Sequence, residues 1–332
     1  MPYRAALIGC GKIGSEFADD HLIKRDVFTH AEAYTVCPET TLVAICDTDP
    51  HRLVNCGQRW GVDSRYQSVL TMMDIERPNL VSICTPDDSH YQILSQVLTS
   101  DHKPLGVLCE KPLATDLVQA RELVNMCKYN GVALAVNYMR RFAENVNSLR
   151  SYILDGNLGE IQAVNGWYTK GVIHNGSHWF DLLRFLVGEV DWVLGVNTLK
   201  EMGPDPTIDV LLGLHNGALA SLRALSAVNF TIFDMEIMGA KGRVQLTDSC
   251  FRIDLSLAAQ SPRYSGYVEL SPIKYHFGNR KNLMLHAVEN LVRCLETGDR
   301  PACSGEDGLA ALEISWAACQ SAHDGEKKIL HG

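Results

Sequence analysis

The feature that most constrains the fold is Gly9-Cys10-Gly11-Lys12-Ile13-Gly14, which follows directly on the apolar run Ala5-Ala6-Leu7-Ile8. A G-x-G-x-x-G spacing alone also arises in ordinary turns. Between a buried strand and a helix start, each glycine acquires a separate duty. The first permits a tight turn, the second lets a pyrophosphate approach the backbone, and the third lets the helix pack on the strand. The helix N-terminus adds unpaired N–H donors for the phosphates. Gly9, Gly11, Lys12, Ile13 and Gly14 are therefore expected to line a dinucleotide site.

A second strand over 41–46 ends at Asp47, where an acid accepts hydrogen bonds from the adenosine ribose. Its distance from Gly14 exceeds the usual figure of about 20 residues, and an insertion between Asp19 and Phe28 accounts for the excess. Asp47 favours NAD, while Arg52, five residues on, keeps NADP open as a partner for a 2′-phosphate. The competing reading makes Asp47 a helix cap in Asp47-Thr48-Asp49-Pro50.

A third strand over 79–84 leads into Thr85-Pro86-Asp87-Asp88-Ser89-His90 and a helical pattern over 91–98. The strand over 105–109 carries Glu110-Lys111-Pro112 at its end. Helical periodicity over 115–129 stops at Asn130-Gly131, and 132–136 is a further strand. Strands alternating with helices predict a doubly wound parallel sheet, whose ligands bind at the carboxyl ends of the strands. The glycine run, Asp47, Thr85, Pro86, His90, Glu110 and Lys111 all fall at or just beyond such ends.

Beyond Asn137 the pattern changes. A helix to about Leu154, a strand from Glu160 toward Lys170 and a helix over 176–187 are followed by strand-like runs at 191–198, 207–214, 218–227, 231–238 and 243–247. Strands in succession predict a largely antiparallel open sheet in an α+β domain, with Asn216-Gly217 as a two-residue hairpin turn. Helices over 281–297 and 306–323 follow, the second capped by Ser304-x-x-Asp307. The expected organisation is α/β: an NAD(P)-binding Rossmann domain over 1–137, then a substrate-binding and oligomerisation α+β domain over 138–332. A sheet covered by helices on one face needs a partner for the other, which predicts a homodimer or homotetramer built through it.

At 332 residues the chain is long enough for two domains, and 46% hydrophobic with 21% charged residues is ordinary for a globular protein. A net charge of −9 with no block of Lys and Arg speaks against nucleic acid and anionic membrane as partners. Eleven cysteines without any Cys-x-x-Cys indicate neither a disulfide framework nor a zinc site. No charged start with a long apolar run opens the sequence, so a cytoplasmic location is expected.

Taken together, these stretches resemble the Gfo/Idh/MocA oxidoreductases. The resemblance is carried by Gly9 to Gly14, Thr85-Pro86 to His90, Glu110-Lys111-Pro112, the stretch Asn137 to Phe142, Gly176-x-His178-x-x-Asp181, and Gly305-Glu306-Asp307-Gly308. It implies that Lys111 hydrogen-bonds the reacting hydroxyl and that His178 helps remove its proton, a placed acid or base contributing about 10²- to 10⁴-fold. Tyr138 and Asp181 are family-matched positions that either line the substrate site or hold its shape; Arg140 and Arg141, just past the cofactor domain, either open a solvated helix or meet an acidic or nucleotide-linked sugar, and Asn175 is expected to share the duty of residue 174. The chain departs from the family at His174, where an acid is usual; an imidazole there is expected to bind substrate oxygen or an anionic group instead. His174 and His178 are not expected on one helix, and no metal is expected. The activity implied is hydride transfer between NAD(P) and a hydroxyl-bearing carbon of a sugar, cyclitol or nucleotide-linked sugar. An NAD-dependent glycosidase and a non-catalytic nucleotide-sensing protein are the alternatives.

Overall fold

The computed structural model of the protein describes residues 1–20 and 26–330. The chain forms two compact units, one of Met1–Ala143 with Lys281–Leu309, the other of Glu144–Arg280 with Ala310–Gly332.

In the first unit, strands β1 (Tyr3–Ile8), β2 (Thr40–Cys46), β3 (Arg65–Tyr66), β4 (Leu80–Ile83), β5 (Gly106–Cys109) and β6 (Ala133–Val136) form a parallel sheet in the order 3-2-1-4-5-6. Between them run α1 (His30–Val36), α2 (Pro50–Trp60), α3 (Val69–Glu76), α4 (His90–Thr99) and α5 (Leu117–Asn130). The strands are short apolar runs buried on both faces, as a helix-covered parallel sheet requires. The register matters most for function. Ile8 pairs with Cys46 and Ile83, Ile83 with Cys109, and Cys109 with Val136, so five strands end level in one row. The residues that follow that row are Gly9, Asp47, Cys84, Glu110 and Asn137.

The excess length after the glycine run has a definite form. The turn begun at Gly11, with Ser15 N–H donating to Gly11 O at 2.8 Å, continues only into a 3-10 turn over Glu16–Asp19. The chain then returns at α1, whose His30 and Ala31 N–H groups donate to Ile13 O (3.2 Å) and Gly14 O (3.0 Å). Those are the carbonyls a continuous helix would have satisfied with residues 17 and 18, so α1 is the continuation of the first turn across an insertion. Skipping 17–29 restores the spacing of about 20 residues between Gly14 and Asp47. Part of the segment expected as inserted, 21–25, lies outside the described residues.

In the second unit, α6 (Glu144–Leu154), β7 (Ile161–Tyr168), α7 (Ser177–Leu186), β8 (Val190–Val196), β9 (Asp209–Leu214), β10 (Leu219–Ala224), β11 (Phe233–Gly239), β12 (Gly242–Thr247), β13 (Arg252–Gln260) and β14 (Val268–Ile273) appear in that order. Past α8 (Leu283–Thr297), which belongs to the first unit, and α9 (Gly305–Asp324), the short β15 (Lys328–Ile329) completes a nine-stranded sheet in the order 14-13-12-11-7-10-9-8-15. Every pairing is antiparallel except β7 with β10.

Gly166, Leu222, Val210 and Gly195 form one cross-strand row on the helix-covered face. A Cβ on Gly166 would meet the Trp179 indole at 2.2 Å, and one on Gly195 would meet Ala318 O at 2.2 Å. These two glycines let α7 and α9 settle onto the sheet. On the opposite face, Trp167, Leu211 and Leu219 are exposed.

Two local expectations change. Leu214 N–H donates to Ala218 O at 2.9 Å, so the hairpin loop holds three residues rather than two, with Gly217 at φ +86° taking the left-handed position. β13 and β14 were not anticipated, although Arg252-Ile253-Asp254-Leu255-Ser256-Leu257 and Val268-Glu269-Leu270-Ser271 alternate polar and apolar residues as strands do. All eleven cysteines are free. Among the described residues, no helix is long and apolar enough to cross a membrane.

Candidate active site

The glycine run behaves as three different positions. Gly9 has φ +97°, and a Cβ there would lie 2.7 Å from the Cys84 carbonyl group. A Cβ on Gly14 would lie 2.1 Å from Gly9 O. Both are fixed by the protein's own backbone. Gly11 is not, since its nearest neighbour at the Cβ position is an Arg52 Nη1 at 3.8 Å. A glycine without an internal reason, on a loop whose other glycines have one, fits close approach by a pyrophosphate. Lys12 is exposed, and Ile13 packs on the cluster of Leu7, Cys10, Ala31, Ile45 and Cys56 beneath the loop.

Asp47 Oδ2 accepts from Cys10 N–H at 2.7 Å and Oδ1 from Asp49 N–H at 2.9 Å. It therefore fixes the loop while remaining half-buried at a strand end. The helix cap is Asp49, which accepts from the His51 and Arg52 N–H groups with Pro50 in the first turn, so capping is not Asp47's task. Arg52 Nε lies 3.4 Å from Glu16 Oε1. Glu16, Asp19, Arg52 and Arg59 line a polar cavity of about 590 Å³ beside the loop.

After β4, Thr85 Oγ1 accepts from Ser89 Oγ at 2.8 Å, and Pro86 O accepts from Ser89 N–H at 2.9 Å, which shapes a short 3-10 turn. His90 is fully buried; its Nδ1 lies 2.7 Å from Pro112 O and its Nε2 2.8 Å from Thr85 O. With both ring nitrogens occupied, His90 ties the Thr85 and Lys111 segments together and presents no nitrogen to a dinucleotide.

Glu110 and Lys111 leave β5 half-buried, and the Lys111–Pro112 peptide is cis. Glu110 Oε1 accepts from Asn137 Nδ2 at 2.6 Å and lies 3.0 Å from His30 Nε2. Burial alone would raise the Glu110 carboxyl. The His30 hydrogen bond and charge, Asn137 and the Lys111 ammonium outweigh it and hold the group below the ordinary glutamate value. Burial pushes the neighbouring Cys84 and Cys109 thiols well up, leaving both neutral.

Tyr138, Arg140 and Arg141 are buried just past β6. Arg141 Nη1 donates to Ala302 O at 3.0 Å and its Nη2 lies 3.3 Å from Asp307 Oδ1. The Ser304–Gly308 stretch packs on β6, with Val136 N–H donating to Cys303 O at 3.0 Å. Arg141 thus anchors that packing.

In the second unit a π-helical turn, Gly171–Gly176, runs straight into α7. His174 and His178 therefore stand on one continuous helical stretch, contrary to the expectation that no helix holds both. Among the described residues, no group of three or more His, Cys, Asp and Glu is arranged to hold a metal. The turn is capped by Asp205, whose Oδ1 accepts from Ile173 N–H at 2.6 Å and Oδ2 from His174 N–H at 2.9 Å. Asn175 Nδ2 donates to Thr169 O at 2.8 Å. Trp179, Phe180 and Asp181 are buried, His178 is half-buried and His174 is exposed.

Sequence reasoning missed His30, Tyr34, Ser82, Asp49 and Asp205. A signal existed for α1: Thr29 and Glu32 form a capping pair, Thr29 Oγ1 accepting from Glu32 N–H at 3.3 Å and Glu32 Oε2 from Phe28 N–H at 3.3 Å. Nothing local marked Asp205, which bonds to residues 31 and 32 positions earlier.

A parallel sheet in this strand order, with a glycine loop and an acid level along its carboxyl edge, defines a dinucleotide-binding domain. Comparison with known proteins makes the assignment specific. Residues 3–138 match the Gfo/Idh/MocA "oxidoreductase family, NAD-binding Rossmann fold" and residues 169–329 that family's "C-terminal alpha/beta domain". The chain belongs to the Gfo/Idh/MocA oxidoreductase family and is a nicotinamide-dependent dehydrogenase of it. It is 26% identical to the myo-inositol 2-dehydrogenase of Thermotoga maritima, covering 96% of each chain. To a D-apiose dehydrogenase of Paraburkholderia graminis it is 24% identical, over 97% of this chain and 88% of the other. The fold is shared with the WlbA dehydrogenase of Bordetella pertussis in complex with NADH and UDP-GlcNAcA, at TM-score 0.79 and 23% identity over 100% and 99% of the two chains.

Proposed function

We propose that this protein transfers a hydride between NAD and a hydroxyl-bearing carbon of a sugar, cyclitol or nucleotide-linked sugar. The observation that carries the reading is the level row of strand ends, which sets Glu110-Lys111 along the same edge as the glycine loop and Asp47. When bound, the cofactor supplies the hydride acceptor. Gly9, Gly11, Lys12, Ile13 and Gly14 hold its phosphates, Asp47 its ribose, and the Thr85-Pro86 turn with Glu110 the nicotinamide end.

Lys111 donates a hydrogen bond to the substrate hydroxyl oxygen, and His178 accepts the proton as the hydride leaves the carbon. The residues assigned to substrate are His174, Asn175 and Asp181, on the π-turn and α7, together with Tyr138 and Arg140, all within the 138–332 region read as substrate-binding. The relatives named above are dehydrogenases, which supports redox turnover over the glycosidase and sensing alternatives. Eleven free cysteines support a reducing compartment, the cytoplasm. The exposed Trp167, Leu211 and Leu219 support a homodimer or homotetramer through the second sheet.

The test is Lys111→Met in single-turnover NADH formation with myo-inositol, D-apiose and UDP-GlcNAcA as probes. The expected loss is about 10²- to 10⁴-fold with NAD affinity little changed. Unimpaired hydride transfer removes the lysine from the mechanism.

A further inference from the structure

Inside the first unit a connected set of polar side chains ends on the carboxylate that precedes Lys111. Tyr34 Oη lies 2.9 Å from Ser82 Oγ, Ser82 Oγ lies 2.8 Å from His30 Nδ1, and His30 Nε2 lies 3.0 Å from Glu110 Oε1. Asn137 Nδ2 donates to the same Oε1 at 2.6 Å. Tyr34, Ser82, His30 and Asn137 are all fully buried. Tyr34, Ser82 and His30 each find a partner in this set, and a satisfied buried network fixes a single arrangement. His30 also donates its main-chain N–H to Ile13 O at 3.2 Å. One residue thus touches the dinucleotide loop through its backbone and the Glu110 carboxylate through its ring.

We propose that His30 is a positioning residue for the reaction, holding the Glu110 side chain in one place immediately before Lys111 and so setting the surroundings of the lysine. The inference rests on the reading of Lys111 as the group that handles the substrate proton. The charged and titratable groups facing Glu110 are His30 from α1, Lys111 next in the chain, and the neutral thiols of Cys84 beyond β4 and Cys109 in β5.

Burial favours the protonated carboxyl, and the His30 hydrogen bond and charge lead the contributions that oppose it. Without the ring, only Asn137 and the Lys111 ammonium oppose burial, and the balance moves toward the protonated carboxyl. A Glu110 carboxylate displaced or partly neutralised leaves less negative charge next to Lys111, which makes its amine more reactive. No space-filling role predicts that sequence of changes.

The experiment compares His30→Asn, which keeps a polar atom near Nδ1 but does not reach Glu110, with His30→Gln, whose amide extends toward the Nε2 position. Glu110→Gln serves as the variant already neutral at the carboxylate. The readouts are the rate of Lys111 acetylation by an N-hydroxysuccinimide ester at neutral pH, followed by peptide mass spectrometry, with NADH affinity by fluorescence and thermal unfolding alongside. Lys111 is expected to react about 3- to 10-fold faster in His30→Asn and Glu110→Gln, the effect of up to about one pKa unit, and in His30→Gln, which restores the hydrogen bond without the charge, at a rate between those of wild type and His30→Asn.

Equal rates in wild type, His30→Asn and Glu110→Gln overturn the proposal, as does a His30→Gln rate matching that of His30→Asn. Should His30→Asn fail to fold, Glu110→Gln against His30→Gln decides it. The underlying reading fails separately: Lys111→Met that still transfers hydride removes the lysine's role in the reaction whatever the acetylation rates, whereas an inactive Lys111→Met with unchanged acetylation in His30→Asn removes only the role of His30.

Discussion

Glu16 and Arg52 meet at the mouth of the glycine loop, and the pair bears on cofactor choice more than on stability. Both side chains are exposed, so the contact itself contributes little to folding. Its effect on a ligand is larger, since a 2′-phosphate arriving near Asp47 would meet the Asp47 and Glu16 carboxylates and find Arg52 already engaged. NAD is expected to bind more tightly than NADP. Glu16→Gln should narrow the ratio of the two dissociation constants by about 3- to 10-fold, roughly one charge interaction at partial exposure, as read by fluorescence titration with NADH and NADPH.

Glu110 gives a second expectation at the residue scale. Its folded carboxyl titrates below the ordinary glutamate value of 4.5, so it contributes stability that is present above that value and is lost as pH falls toward the folded one. Urea midpoints measured across the acid range should fall below pH 4.5, and Glu110→Gln should flatten that part of the slope. The glycine run, Asp47 and Lys111 could be read in the sequence because each stands at a strand end with a residue type that chemistry demands. His30 could not, because its importance comes from Ser82 and Glu110, which lie 52 and 80 positions away.

Among the elements, the π-turn leading into α7 shows how the segment proposed to bind substrate is held. Asp205 accepts the main-chain N–H groups of Ile173 and His174, donors that a helix start otherwise leaves without partners. Asp205→Ala should cost about 1–3 kcal/mol in urea unfolding and lower kcat/KM for the active probe substrate while leaving NADH affinity near wild type. An equal loss of NADH affinity would mean that the second unit's turn is not specific to substrate. The α7 periodicity was visible in the sequence because Trp179, Phe180, Leu182, Leu183 and Leu186 recur on a buried face. The π-turn was not, since Gly171 and Gly176 read as helix breakers until Asp205 supplies the cap. The insertion before α1 was inferred from spacing alone, and the carbonyls of Ile13 and Gly14 show where the helix resumes.

At the scale of the whole molecule, the second sheet leaves Trp167, Leu211 and Leu219 exposed on one face, at 38%, 36% and 49%, while Gly166 and Gly195 admit helices on the other. An apolar face of this kind on a nine-stranded sheet predicts self-association. Leu219→Glu with Leu211→Lys is expected to shift sedimentation toward the monomer while the NADH affinity of the first unit holds. An unchanged oligomer would place the interface elsewhere.

The sequence by itself determined the alternation of strands and helices, the dinucleotide loop, the lysine after β5 and the family, because each depends on residue types at short range, where turn, period and burial act directly. Only the tertiary structure decided that five strands end level, that His90 and Arg141 are committed to structural bonds, that His174 and His178 share one helical stretch, and that His30 stands behind Glu110. Those facts depend on register and on hydrogen bonds between residues far apart in the chain, and no local preference encodes which distant partner a buried polar group will find.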